Sequence, residues 1–91
     1  MVINNIKYEI IKDDNHTCDE ELLKEMMTDY FASYDYIVGD WSYNKLRLKG
    51  FNDKSNKNFN KINDFSKLDV YLEKNCAYGC KYFVLKKLVE K

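Results

Sequence analysis

Ninety-one residues with 15 Lys and Arg against 15 Asp and Glu carry no formal net charge, which excludes a generally basic nucleic-acid binder. A hydrophobic fraction of 45%, with eight Tyr, five Phe and one Trp, excludes a disordered chain and suffices for one core, so residues 1–91 are expected to form a single domain. No apolar run nears the ~18 residues of a membrane span, and Met1–Lys7 has neither the basic nor the apolar stretch of an export signal, so a cytoplasmic protein is expected.

Residues 6–11 alternate apolar and charged, which predicts a half-buried strand with Ile6, Tyr8 and Ile10 on one face. A polar loop follows over 12–16. Thr17-Cys18-Asp19-Glu20 fits a capping box, and the helix it opens is predicted to run to about Ser33. Leu22, Leu23, Met26, Met27, Tyr30 and Phe31 recur at three and four residues to give its apolar stripe. Tyr34 to Val38 predicts a second strand, 39–44 a loop, and Lys45 to Phe51 a third strand. That strand carries Leu46 and Leu48 on one face and Lys45, Arg47 and Lys49 on the other. The spacing between the two strands predicts a longer loop or a bulge rather than a two-residue turn.

Residues 52–61 are low in complexity and read as a mobile polar loop, with Phe59 as its apolar anchor. Asn63 or Asp64 caps a second predicted helix that ends near Cys76, with Phe65, Leu68, Tyr71 and Leu72 inward. Gly79 suits the left-handed position after that helix, and Cys80 follows it. Lys81 to Val89 is the last predicted strand. Both of its faces start apolar, which predicts a central place in the sheet. The order β-α-β-β-α-β gives an α+β expectation: about four strands in one sheet with two helices packed on it, ferredoxin-like or a rearranged relative.

The neutral total conceals a division. Residues 1–43 hold three Lys against ten acids, and residues 44–91 hold Arg47 and eleven Lys against five acids. Such asymmetry points either to an anionic partner for the basic half or to attraction between the halves. Arg47 stands out as the one Arg among fourteen Lys. Its planar fork grips carboxylate or phosphate through two bonds, which Lys cannot do.

Two long runs carry a family resemblance. One is Gly39-Asp40-Trp41-Ser42-Tyr43-Asn44-Lys45-Leu46-Arg47-Leu48-Lys49-Gly50-Phe51. The other is Cys76-Ala77-Tyr78-Gly79-Cys80-Lys81-Tyr82-Phe83-Val84-Leu85. With Tyr71-Leu72-Glu73 and the flanking pattern, the chain resembles the YutD family, small bacterial proteins of Firmicutes and relatives, over roughly residues 5–88. Ala77 departs from the polar residue the family pattern carries there. The resemblance implies a single cytosolic domain and brings over no catalytic residue.

The first motif sets aromatic rings beside cations, which is the chemistry of single-strand and RNA binding. The candidate binding residues are therefore Tyr36, Asp40, Trp41, Tyr43, Arg47 and Lys49. The expected function is a non-enzymatic accessory binding protein that docks RNA or a ribosome-associated partner on this strand face. The alternative is a protein–protein interaction module on the same patch. A structural reading stands beside both: Trp41 plugging the core edge and Arg47 pairing with Asp35 or Asp40. His16, Cys18, Cys76 and Cys80 offer zinc-ligand types, but His-x-Cys and Cys-x3-Cys depart from the usual Cys-x2-Cys knuckle. A Cys76 or Cys80 thiolate with His16 is the enzyme alternative. No cofactor or metal is assigned, and an odd three cysteines without an export signal predict reduced thiols.

Overall fold

Turn chemistry builds the first hairpin. In a computed structural model that describes residues 1–13, 16–42, 45–75 and 81–88, β1 (Val2–Ile3) pairs antiparallel with β2 (Ile6–Lys12). Asn4 and Asn5 turn between them with φ of 54° and 66°. A two-residue hairpin loop needs this left-handed backbone twice, and Asn tolerates it better than most residues.

The first helix is shorter than the capping box predicts. α1 spans Glu20–Met26, and its cap is Asp19, whose carboxylate accepts the Leu22 N–H at 3.1 Å. Thr17 instead donates its N–H and hydroxyl to Asp13 at 2.7 and 3.0 Å. At Met27 the backbone turns extended. The Asn4 side-chain amide donates to the Met27 carbonyl at 2.8 Å, meeting an acceptor left over at the helix end. Asp29–Ser33 form a separate 3-10 turn, so Tyr30 is exposed rather than part of a helical stripe.

β3 runs Tyr36–Ser42, straight through the Gly39-Asp40-Trp41 segment expected as loop, and β4 spans Lys45–Phe51. Their pairing is continuous from Tyr36 opposite Phe51 to Ser42 opposite Lys45. Only positions 43 and 44 separate the strands, so the expected longer loop or bulge is replaced by a two-residue connection. Asp64 caps a 3-10 turn, Phe65–Lys67, through Ser66 N–H at 2.9 Å, and α2 (Leu68–Asn75) continues it. β5 spans Lys81–Lys87. The expectations for Cys76, Gly79, Cys80 and Val89 fall outside the described residues.

The sheet corrects the expected fold class. Among the described residues it has five strands in the order β1-β2-β5-β3-β4, every neighbouring pair antiparallel, curled as a half-barrel with two short helices. A ferredoxin-like sheet also pairs its neighbours antiparallel, but it places the hairpin strand, here β4, between β2 and β3. Here β5 returns between β2 and β3 and runs antiparallel to both. The central position read from its doubly apolar sequence holds. Alternation divides the core. Ile37, Leu46, Phe83 and Leu85 pack with Ile3, Tyr8, Leu23 and Met27 on one face, beneath α1. Tyr36, Val38, Phe51 and Val84 pack on the other, beneath Phe65, Leu68, Tyr71 and Leu72. The helices thus cover opposite faces, because β3 and β5 present apolar side chains both ways.

The segment after β4 closes on a buried amide. Asn52 is 0% exposed, its N–H donates to the Asn63 carbonyl at 2.7 Å, and its carbonyl accepts Phe65 N–H at 3.1 Å. Its side-chain oxygen accepts from Asp35 N–H at 2.9 Å and from the Asn56 amide at 3.1 Å. These bonds tie both ends of the polar 52–64 stretch to the start of β3.

Candidate functional site

The β3–β4 register decides where each candidate residue faces. Directly opposed residues share a face, and successive residues alternate. Tyr36, Asp40, Arg47 and Lys49 therefore stand on the α2 face, whereas Trp41 and Leu46 stand on the α1 face. The six residues singled out by sequence do not form one aromatic platform. Tyr43 lies outside the described residues.

Two of the aromatic rings are engaged by the chain itself. Tyr36 is 8% exposed and stacks on Phe65, with ring centroids 3.6 Å apart and planes within 3°. Its hydroxyl donates to Asp53 at 3.4 Å, and burial, then the Asp53 charge, push the phenol above its ordinary pKa. Trp41 packs against the α1-side core, and its indole N–H donates to the Thr17 carbonyl at 3.0 Å.

Asp40 and Arg47 face each other across the hairpin. Arg47 Nε and Nη2 donate to the two Asp40 oxygens at 2.9 and 3.1 Å. The Asp40 side chain is only 2% exposed, while that of Arg47 is 47% exposed. The hydrogen bond and then the charge of Asp40 hold the guanidinium above its ordinary pKa, against burial. This fork is a use that Lys could not replace, and it joins the acidic half of the chain to the basic half. Beside it, Lys49 Nζ lies 5.3 Å from the Phe51 ring centre and 5.7 Å from that of Tyr71. Burial, and then the Asp40 charge, push the Tyr71 phenol up, with Arg47 opposing.

The glycines of the motif are set by close approach. A methyl group on Gly39 would collide with the Phe83 ring, and one on Gly50 with the Tyr34 ring. Neither glycine belongs to a phosphate-binding loop, since both lie within paired strands. Sequence reasoning missed Phe65 and Tyr71 as partners of Tyr36 and Lys49. Their signal was present as the apolar face of α2, but which strand residues they meet depends on strand order.

What remains outward is β4 itself: Lys45 exposed, Arg47 half-exposed and Lys49 half-buried, alternating with Leu46 and Leu48 toward the other face.

The thiol chemistry is quiet where it is described. Burial, and then Asp13, Glu20 and Asp19, push the Cys18 thiol up to about 11. Cys76 and Cys80 fall outside the described residues, as does any zinc set that includes them. Among the described residues no group of three or more His, Cys, Asp or Glu could hold a metal ion. A raised pKa leaves a smaller thiolate fraction at pH 8, partly offset by greater nucleophilicity. Cys18 is therefore expected to react with iodoacetamide about tenfold more slowly than free cysteine, read by peptide-resolved mass spectrometry. Labelling as fast as free cysteine overturns this assignment.

Sheet, helices and hairpin together define a small α+β protein whose described surface offers charge, apolar side chains and strand edge for contact. Among the described residues no helix is long and apolar enough to cross a membrane. The chain belongs to the YutD-like family: the family described as "Putative antitoxin YutD-like" matches residues 2–86. It is 41% identical over 88 residues to "Putative antitoxin YutD" of Bacillus subtilis (strain 168), covering 97% of each chain. It also resembles the solution NMR structure of protein yutD from B. subtilis, with a TM-score of 0.80 and 40% identity over 99% of this chain and 82% of that one.

Proposed function

We propose that this chain is a cytoplasmic, non-enzymatic binding protein of antitoxin type, which acts by holding a partner protein through non-covalent contact. The observation that carries this reading is the engagement of the aromatic rings. Tyr36 is stacked on Phe65, and Trp41 is bonded to Thr17 and packed on the core. Bases need free ring faces to stack on. The name carried by the B. subtilis relative, "Putative antitoxin YutD", is compatible with this reading, since binding a toxin protein is one way in which a protein antitoxin acts.

Among the described candidate residues, the RNA or ribosome-associated partner expected from sequence is supported by charge rather than by free rings, chiefly at Lys45, Arg47 and Lys49. One experiment separates the readings. The tagged chain is purified from host extract in two arms: untreated at low salt, where RNA would be retained, and nuclease-treated in high salt, where only a protein partner would be. A protein partner retained in near-equal amount is the expected result. Co-purification of RNA instead, with affinity that falls steeply as salt rises, overturns the proposal in favour of phosphate docking.

A further inference from the structure

We infer that the outer edge of β4 is the docking site, and that its occupant is an extended segment of a partner protein in which acidic and apolar residues alternate. The inference rests on the protein-binding reading above and names the partner's chemistry.

Among the described residues β4 is the last strand of the sheet. Immediately beyond it, Asn52 directs its N–H and carbonyl away from β3, to Asn63 and Phe65, in a parallel bridge between Asn52 and Asp64. The chain's own extended backbone thus already pairs with this side of the sheet. Backbone groups of a strand alternate in direction. Those of Leu48 and Leu46 therefore point the same way as those of Asn52, and no strand of the described residues pairs with them there. Gly50 is buried, as is Leu46, whose side chain packs in the α1-side core, so the available edge centres on the half-buried Leu48.

The side chains then specify the occupant. An added strand lies about 4.8 Å away, and its residues share faces with those they oppose. Side chains on the α2 face would stand beside Lys45, Arg47 and Lys49, and carboxylates are the complement. Those on the α1 face would stand beside the half-buried Leu48, where an apolar group buries surface. A second copy of this chain fits badly. Antiparallel self-pairing centred on Arg47 puts Lys45 against Lys49 and Arg47 against Arg47. A shift by one residue sets cations against leucines.

The test uses the full chain and a fluorescent peptide of alternating Glu and Val, followed by anisotropy and by amide NMR shifts. The largest shifts are expected at Leu48 and its immediate neighbours in β4. Lys45→Glu/Lys49→Glu is expected to weaken binding about tenfold or more, as is replacing Glu by Lys in the peptide. Lys45→Glu alone, at an exposed position, is expected to give a smaller loss in the same direction with an unchanged melting temperature. Largest shifts elsewhere, equal affinity for both peptides, or no binding would overturn the edge assignment. So would single-stranded RNA that competes for the same amides more strongly than the peptide. A partner protein retained by Lys45→Glu/Lys49→Glu in the nuclease-treated purification overturns the edge and leaves the protein-binding reading intact. Loss of any protein partner from the unmodified chain overturns that reading itself.

Discussion

Gly39→Ala is expected to destabilise the protein by about 3 kcal/mol, a fall in melting temperature on the order of 10–20 °C for a chain of this size. The sign is the informative part. In an ordinary strand the same change is mildly favourable, because Gly is the more costly residue to order by roughly 0.5–1 kcal/mol. Here the new methyl group would enter the ring of Phe83, which is 0% exposed at the centre of the α1-side core. A buried ring flanked by Ile37 and Leu85 has little room to yield, since interiors are packed at near-crystalline density. The cause can be isolated by a double-mutant cycle in thermal melts. Phe83→Leu alone opens space and costs stability; in the Gly39→Ala background it relieves the collision. The double variant is therefore expected to lose less than the two single losses added together. Strict additivity, or a Gly39→Ala protein that melts at or above the original temperature, would show that Phe83 does not dictate this glycine.

The same contact explains a boundary that sequence reasoning set wrongly. Gly39, Asp40 and Ser42 each weaken a strand on local propensity, so Gly39–Asn44 reads as loop. Two long-range facts reverse that reading: Phe83 requires Gly39, and Arg47 neutralises Asp40 from across the hairpin. The first cannot be seen within a local window; the second stands in the sequence as one of two pairings, with Asp35 or Asp40, and the strand register selects Asp40. The alternation of Lys45, Leu46, Arg47, Leu48 and Lys49 was legible, because period two survives any strand order. The doubly apolar β5 was legible as central for a related reason: only a strand covered on both faces has no polar side. Its neighbours were not legible. Placing β5 between β2 and β3 is a choice among long-range pairings that a βαβ-like element order does not determine. The break at Met27 was hidden similarly, since apolar spacing continues past it while the Asn4 amide ends the helix from a distant hairpin. For the candidate site, Trp41 was grouped with Arg47 because they are close in sequence. Once β3 is seen to run on to Ser42, alternation alone puts Trp41 on the opposite face to Asp40 and Arg47.

Arg47→Ala is expected to lower the melting temperature by on the order of 10 °C, more than any other loss of a surface-reaching cation in this chain. The guanidinium is half in solvent, but the carboxylate it serves is not: the Asp40 side chain is 2% exposed and sits between β4 and β5 on a strand buried from both sides. Removing the fork leaves a desolvated charge with its strongest donors gone, and most of the penalty comes from that stranded carboxylate rather than from the attraction lost. Three comparisons follow. Arg47→Lys restores charge without the two-bonded geometry and is expected to recover only part of the loss. Asp40→Asn in the Arg47→Ala background removes the stranded charge, so the double variant is expected to melt above Arg47→Ala alone. Lys45→Glu, at the exposed first residue of β4, is expected to leave the melt unchanged. If Arg47→Ala melts like the unmodified chain, Asp40 does not depend on Arg47 for its place in the fold. If the expected order is found, the residue that looked most like a ligand-binding Arg belongs first to the fold. The charges left for a partner are then Lys45 and Lys49, which is why reversing those two, rather than Arg47, is the sound test of the β4 edge.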